Sequence, residues 1–69
     1  MDNQEIETRF TYHSLKPGQS DLYVKLRNKA KELANLINIV CPESREKSLA
    51  ITKIESAVFW ANASIARRT

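Results

Sequence analysis

Residues 20 to 44, SDLYVKLRNKAKELANLINIVCPES, decide the fold. Tyr23, Leu26, Ala30, Leu33, Ile37 and Val40 recur at spacings of three and four, which puts them on one face of a long helix from about Ser20 to Val40. Cys41-Pro42-Glu43-Ser44 ends it, because proline disfavours helical backbone at the residue before it and serine is a good cap for a following helix. A second helix is predicted from Glu43 or Ser44 to Ala66, with Ala50, Ile51, Ile54, Val58, Ala61 and Ile65 in one stripe. Two helices joined this tightly fold back antiparallel. Upstream, Lys16-Pro17-Gly18-Gln19 reads as a turn, with Ser20 or Asp21 as the expected N-cap of the first long helix. Arg9-Phe10-Thr11-Tyr12-His13 favours extended backbone, and residues 2 to 8 suit only a short helical arm.

The expected architecture is all-α: one domain, residues 1 to 69, made of a short N-terminal arm and an antiparallel two-helix hairpin. A chain of 69 residues hides only about 60% of the surface its unfolded form exposes, so an isolated core is marginal. One cysteine, Cys41, gives no intrachain disulfide, and Cys41 with the single His13 falls short of a four-ligand structural zinc site. Oligomerisation is the remaining staple. From Ala57 onward the second helix is apolar on all sides, including Phe59 and Trp60, and must be covered on all sides. Other copies of the chain are the simplest cover, so a homo-oligomer joined through C-terminal half-helices is expected, with Phe59 and Trp60 assigned to assembly. The competing expectation is that Phe10 to Tyr12 folds over this surface within one subunit.

The formal charge is +3, which favours anionic partners without naming one. The polar start MDNQEIETR is unlike a secretory leader, and no apolar run approaches the ~20 residues that span a bilayer, so a cytoplasmic location is expected. Catalysis has little support: there is no nucleophile elbow, P-loop or metal-ligand cluster, and no cofactor is expected. Glu43 and Glu46 suit the positive end of a helix dipole, and Cys41 reads as a small buried or half-buried residue.

Binding has better support. Lys25, Arg27, Lys29 and Lys31 place four cations within seven residues, Lys25 and Lys29 on one face and Arg27 and Lys31 on another. Tyr12 offers a flat face for a nucleobase, though packing with a satisfied hydroxyl suits it equally. Arg67 and Arg68 complement the end of the second helix, and if such ends converge on a symmetry axis they form a positive ring for a polyanion. Asn62 either satisfies a polar contact between helices, the favoured reading, or reads a base edge.

Two stretches carry a resemblance. Ser44-Arg45-Glu46-Lys47-Ser48-Leu49-Ala50, continuing into Phe59-Trp60-Ala61-Asn62-Ala63, is similar to the phage anti-CBASS cyclic-nucleotide sponge family, as is Arg9-Phe10-Thr11-Tyr12-His13 with Arg27-Asn28-Lys29-Ala30-Lys31 after the turn. The resemblance implies a helical protomer assembled as a hexamer, acting in the cytoplasm of an infected bacterium, that sequesters cyclic oligonucleotide messengers without degrading them. It implies cyclic dinucleotides held between protomers, with a base on Tyr12 and phosphate at Arg27; Lys25 or Lys29 is positioned to assist. It further implies cyclic trinucleotides at separate sites using Arg67 or Arg68. The segment after the Tyr-His pair, Ser14-Leu15-Lys16-Pro17-Gly18, departs from the proline-rich pattern of such proteins, which bears on affinity or base preference. Competing readings are a small DNA- or RNA-binding helical module, against which the dispersed charge counts, and a messenger-degrading enzyme.

Overall fold

Helix α1 begins where Asp2 caps it, the carboxylate accepting from Glu5 N at 2.8 Å, and runs over Asn3–Phe10. Glu5 and Arg9, one turn apart in the favourable order, pair at 2.8 Å and carry the helix past the point predicted for it. Arg9 and Phe10 are therefore helical rather than extended, and the extended backbone begins at Thr11 (φ −106°, ψ 139°). The computed structural model describes residues 1–69, with α2 over Gln19–Val40 and α3 over Arg45–Arg68.

The start of α2 differs from expectation in an instructive way. The N-cap is Gly18, in the left-handed region at φ 83°, and neither Ser20 nor Asp21 caps; both lie inside the first turn. With no side chain on the cap, Gln19 holds the corner: its backbone N donates to Lys16 O (3.1 Å) and its side-chain oxygen accepts from Lys16 N (2.9 Å). At the other end Cys41 N donates to Ile37 O (3.0 Å) and Cys41 is extended before Pro42, as a residue preceding proline should be. Ser44 then caps α3 by accepting from Lys47 N at 3.2 Å, as predicted.

The hairpin is antiparallel, and each of its ends is tied by a buried polar side chain. Lys47 is only 7% exposed; its ammonium donates to Asn38 O (2.9 Å) in the last turn of α2 and to the Glu43 carboxylate (2.6 Å). A helix's last carbonyls lack intrahelical partners and carry partial negative charge, so a cation suits that place. Gln19, 4% exposed, does the equivalent for α3, donating to Ile65 O (3.1 Å) and Thr69 Oγ1 (2.8 Å). Lys47→Ala should cost about 1 to 3 kcal/mol by leaving Asn38 O without its partner. Urea denaturation monitored by helicity checks this, and an unchanged midpoint would contradict it.

Between these ties the helices meet through half-buried Tyr23, Leu26, Ala30, Ala34 and Ile37 of α2 against residues such as Ile51, Ile54, Val58 and Ala61 of α3. The predicted stripe is partly corrected: Leu33 and Val40 are exposed, and Ala34 takes the inner position. Small Ala30 and Ala34 at the seam let the two helices approach, leaving the larger Leu33 turned outward.

No apolar residue is buried; the only two buried residues of 69 are Gln19 and Lys47. The accessible surface is 5682 Å², against about 4,400 Å² for a folded monomer of this mass. The radius of gyration is 15.3 Å, against roughly 11 Å for a compact chain of this length, and the molecule measures 46 × 29 × 12 Å. A slab 12 Å deep is one helix layer, whereas a stable core needs at least two. Phe59, Trp60, Leu36 and Ile39 all remain more than half exposed. The N-terminal arm does approach the C-terminal half of α3, but Phe10 stays exposed there and covers little of it.

Candidate ligand-binding site

The cations of α2 fall on opposite edges of the α2/α3 seam. Arg27 and Lys31 line a groove of about 310 Å³ with Glu55, Val58 and Phe59 of α3. Lys29 lines a second groove, also about 310 Å³, with Leu26, Leu33 and Ala57, and pairs at 3.5 Å with Glu32 across exposed surface. Arg27 and Lys31 thus share a face separate from Lys29, as their spacing predicted. Lys25 is exposed, without an ion-pair partner, and lines neither groove. Arg27 has no ion-pair partner either, so its guanidinium is unspent.

Tyr12 lies just past α1 and is 88% exposed, with no hydrogen bond to its hydroxyl. The chain beside it is anchored: the His13 ring nitrogen Nε2 sits 2.7 Å from Thr8 O. A carbonyl only accepts, so the ring proton there is on Nε2 and His13 is a structural donor. Tyr12 packs on nothing, which leaves its flat face available. It lines neither groove, and a single chain does not gather Tyr12 and Arg27 into one pocket.

The largest cavity, about 500 Å³, opens between the end of α1 and the last turns of α3, where Arg9, Phe10, Trp60, Ser64, Arg67 and Arg68 line it. Three guanidiniums and two aromatic faces converge there. Arg68 is not free within the chain: its guanidinium donates to the Glu5 carboxylate at 2.7 Å, and the same oxygen accepts from Arg9 Nε at 2.8 Å. These two hydrogen bonds, Arg68 first and Arg9 second, hold the Glu5 carboxyl at about 2, well below its usual 4.5, and Glu5 in turn raises the Arg68 guanidinium. Arg67 has no ion-pair partner. Arg9, Phe10 and Glu5 were missed as site residues from sequence; the Glu5/Arg9 spacing was the one available signal, and nothing local points to a contact 63 residues away.

A carboxyl whose pKa is depressed on folding stabilises the fold above its unfolded pKa and loses that contribution as pH falls. The arm should therefore stay tied to α3 above about pH 4.5 and come loose between that and about pH 2. Titration of the Glu5 side-chain carbon by NMR tests this: a midpoint near 2 is expected, rising in Arg68→Ala, and a midpoint that ignores Arg68 would contradict it.

Asn62 does not make the satisfied polar contact expected of it; its Oδ1 is buried and accepts no hydrogen bond within the chain. Glu43 pairs with Lys47, Glu46 lies in the first turn of α3, and Cys41 is a half-buried free thiol. Nowhere do three His, Cys, Asp or Glu side chains converge as metal ligands. No helix is long and apolar enough to cross a membrane.

The fold is a thin helical hairpin with unpaired cations, an open tyrosine and an arginine-lined cavity. Residues 1–66 match the family described as Acb2/Tad1, hairpin domain, and the chain belongs to this family of anti-CBASS cyclic-nucleotide sponges, which are binding proteins. Neither the curated proteins nor the solved structures yielded a match.

Proposed function

We propose that this protein is a non-enzymatic, phage-encoded sponge that binds cyclic dinucleotides between copies of itself and lowers their free concentration in the host cytoplasm, blocking CBASS signalling. Family membership over residues 1–66 is the observation that carries this reading. The absence of any buried apolar residue supports assembly with other copies, with a hexamer as the proposed state. Tyr12 stacks on a base, Arg27 meets phosphate, and Lys25 or Lys29 assists. Assembly gives each of these residues the partners that one chain does not supply.

A cyclic dinucleotide has two flat bases and two phosphates, and a two-fold interface duplicates each protein group to match. Stacking is worth about 1 to 3 kcal/mol per base and a charge-assisted hydrogen bond about 1.5 to 3 kcal/mol. Two of each supply about 5 to 12 kcal/mol before the costs of association are subtracted. No bond in the ligand need be broken.

The cavity lined by Arg67, Arg68 and Trp60 supports a second site on the same protein, for cyclic trinucleotides, where three phosphates meet several guanidiniums. Mixing the protein with a panel of cyclic di- and trinucleotides, then denaturing it by heat and recovering the ligand, tests both sites. Retention followed by release of intact compound is expected. A linear product would identify an enzyme, and duplex affinity falling steeply with salt, without retention of any cyclic compound, would identify a nucleic-acid-binding module.

A further inference from the structure

The N-terminal arm is held to the hairpin by very little. No residue of α1 is buried, and the one hydrogen-bonded link from α1 to α3 is Arg68 to Glu5 at 2.7 Å. An eight-residue helix has small stability of its own, and exposed ion pairs contribute little to holding an element down. Yet this one carboxylate sits between two of the three guanidiniums that line the cavity, accepting from Arg9 as well as Arg68. It occupies the place an anionic ligand would take.

We propose that Glu5 is an affinity-setting residue of the arginine cavity: it acts as an internal anion on Arg68 that a phosphate-bearing ligand displaces, releasing the α1 arm as the ligand binds. The proposal rests on the reading of the Arg67/Arg68 cavity as a polyanion site. A phosphate group presents more acceptor oxygens than a carboxylate and pairs with guanidinium in the same two-pronged geometry. Several phosphates on one ligand engage Arg67 and Arg68 of α3 together, whereas Glu5 offers a single charge. Displacing Glu5 therefore exchanges one solvent-exposed pair for several. The depressed Glu5 pKa is consistent with a competitor that stays charged at any physiological pH.

The consequence reaches the other proposed site. Tyr12 lies two residues beyond the end of α1, so an arm that leaves Arg68 carries the base-stacking residue with it. Occupancy of the arginine cavity and the placement of Tyr12 are then linked through one ion pair.

Trp60, the only tryptophan, lines this cavity and reports on it directly. The test titrates the assembled protein with inorganic tripolyphosphate, following Trp60 fluorescence, and measures hydrogen exchange of the α1 amides with and without it. Wild type should bind saturably, with α1 exchange accelerated about tenfold. Glu5→Gln should bind at least threefold more tightly, with α1 already in fast exchange before any ligand is added. Glu7→Gln makes the same charge change on α1, where the Glu7 carboxylate touches Thr11 and no arginine, and should bind as wild type does. Saturable binding with α1 protection unchanged, or equal tightening in Glu7→Gln and Glu5→Gln, would overturn the latch while leaving the anion site standing. No response to tripolyphosphate in any variant would overturn the anion site and the latch with it.

Discussion

Replacing Phe59 and Trp60 together by serine is expected to produce a chain that neither assembles nor folds. Both side chains are more than half exposed on a subunit in which no apolar residue is buried, so it is the proposed assembly that would give them stabilising cover. Burying an aromatic side chain contributes roughly 1.5 to 3 kcal/mol, so the double substitution removes about 3 to 6 kcal/mol per chain. That is a large part of the total stability of a small domain, typically about 5 to 15 kcal/mol. Loss of helicity and loss of assembly should coincide, because folding and association are one equilibrium when the monomer lacks a core. Circular dichroism and light scattering on the same dilution series would show this. Full helicity retained in a monomeric double variant would mean that the hairpin stands without its neighbours.

Tyr12→Ala is expected to abolish most cyclic dinucleotide capture while leaving assembly and melting temperature in place. Tyr12 makes no contact that holds the fold: it is 88% exposed, and the turn beside it is fixed by His13 and Thr8. Two tyrosines per ligand, each stacking on a base at about 1 to 3 kcal/mol, correspond to at least a ~30-fold loss of affinity. Isothermal titration with a cyclic dinucleotide measures it, and a change of less than threefold would remove Tyr12 from the site. If the variant instead fell apart into monomers, Tyr12 would be an assembly residue.

How much of this was legible in the sequence depended on the range of the interaction. The break at Pro42, the Ser44 cap and the antiparallel return follow from neighbours within four residues, and each is found where predicted. The start of α2 was read too late by one residue because Ser20 and Asp21 are good caps in general, whereas Gly18 in left-handed backbone and the buried Gln19 side chain make this corner in fact. No neighbour in sequence marks Lys47 for burial, which depends on Asn38 O arriving from the other helix. Leu33 and Ala34 are adjacent, and choosing between them needs the helix rotation, which the pattern alone fixes only within a residue.

The site followed the same rule. Separation of Arg27 and Lys31 from Lys29 is a matter of helical spacing and was readable. The Glu5 pairing that occupies Arg68 joins the two ends of the chain, and no periodicity announces it. Trp60, expected from sequence to serve assembly, also lines the arginine cavity. The proposed meeting of Tyr12 with Arg27 is not made within one chain.

Sedimentation velocity of the purified protein at micromolar concentration tests the central claim most directly. A single helical species at a multiple of the 7.9 kDa chain mass, with six copies as the proposed number, is the predicted result. A stable, fully helical particle of 7.9 kDa that still captures a cyclic dinucleotide would contradict it.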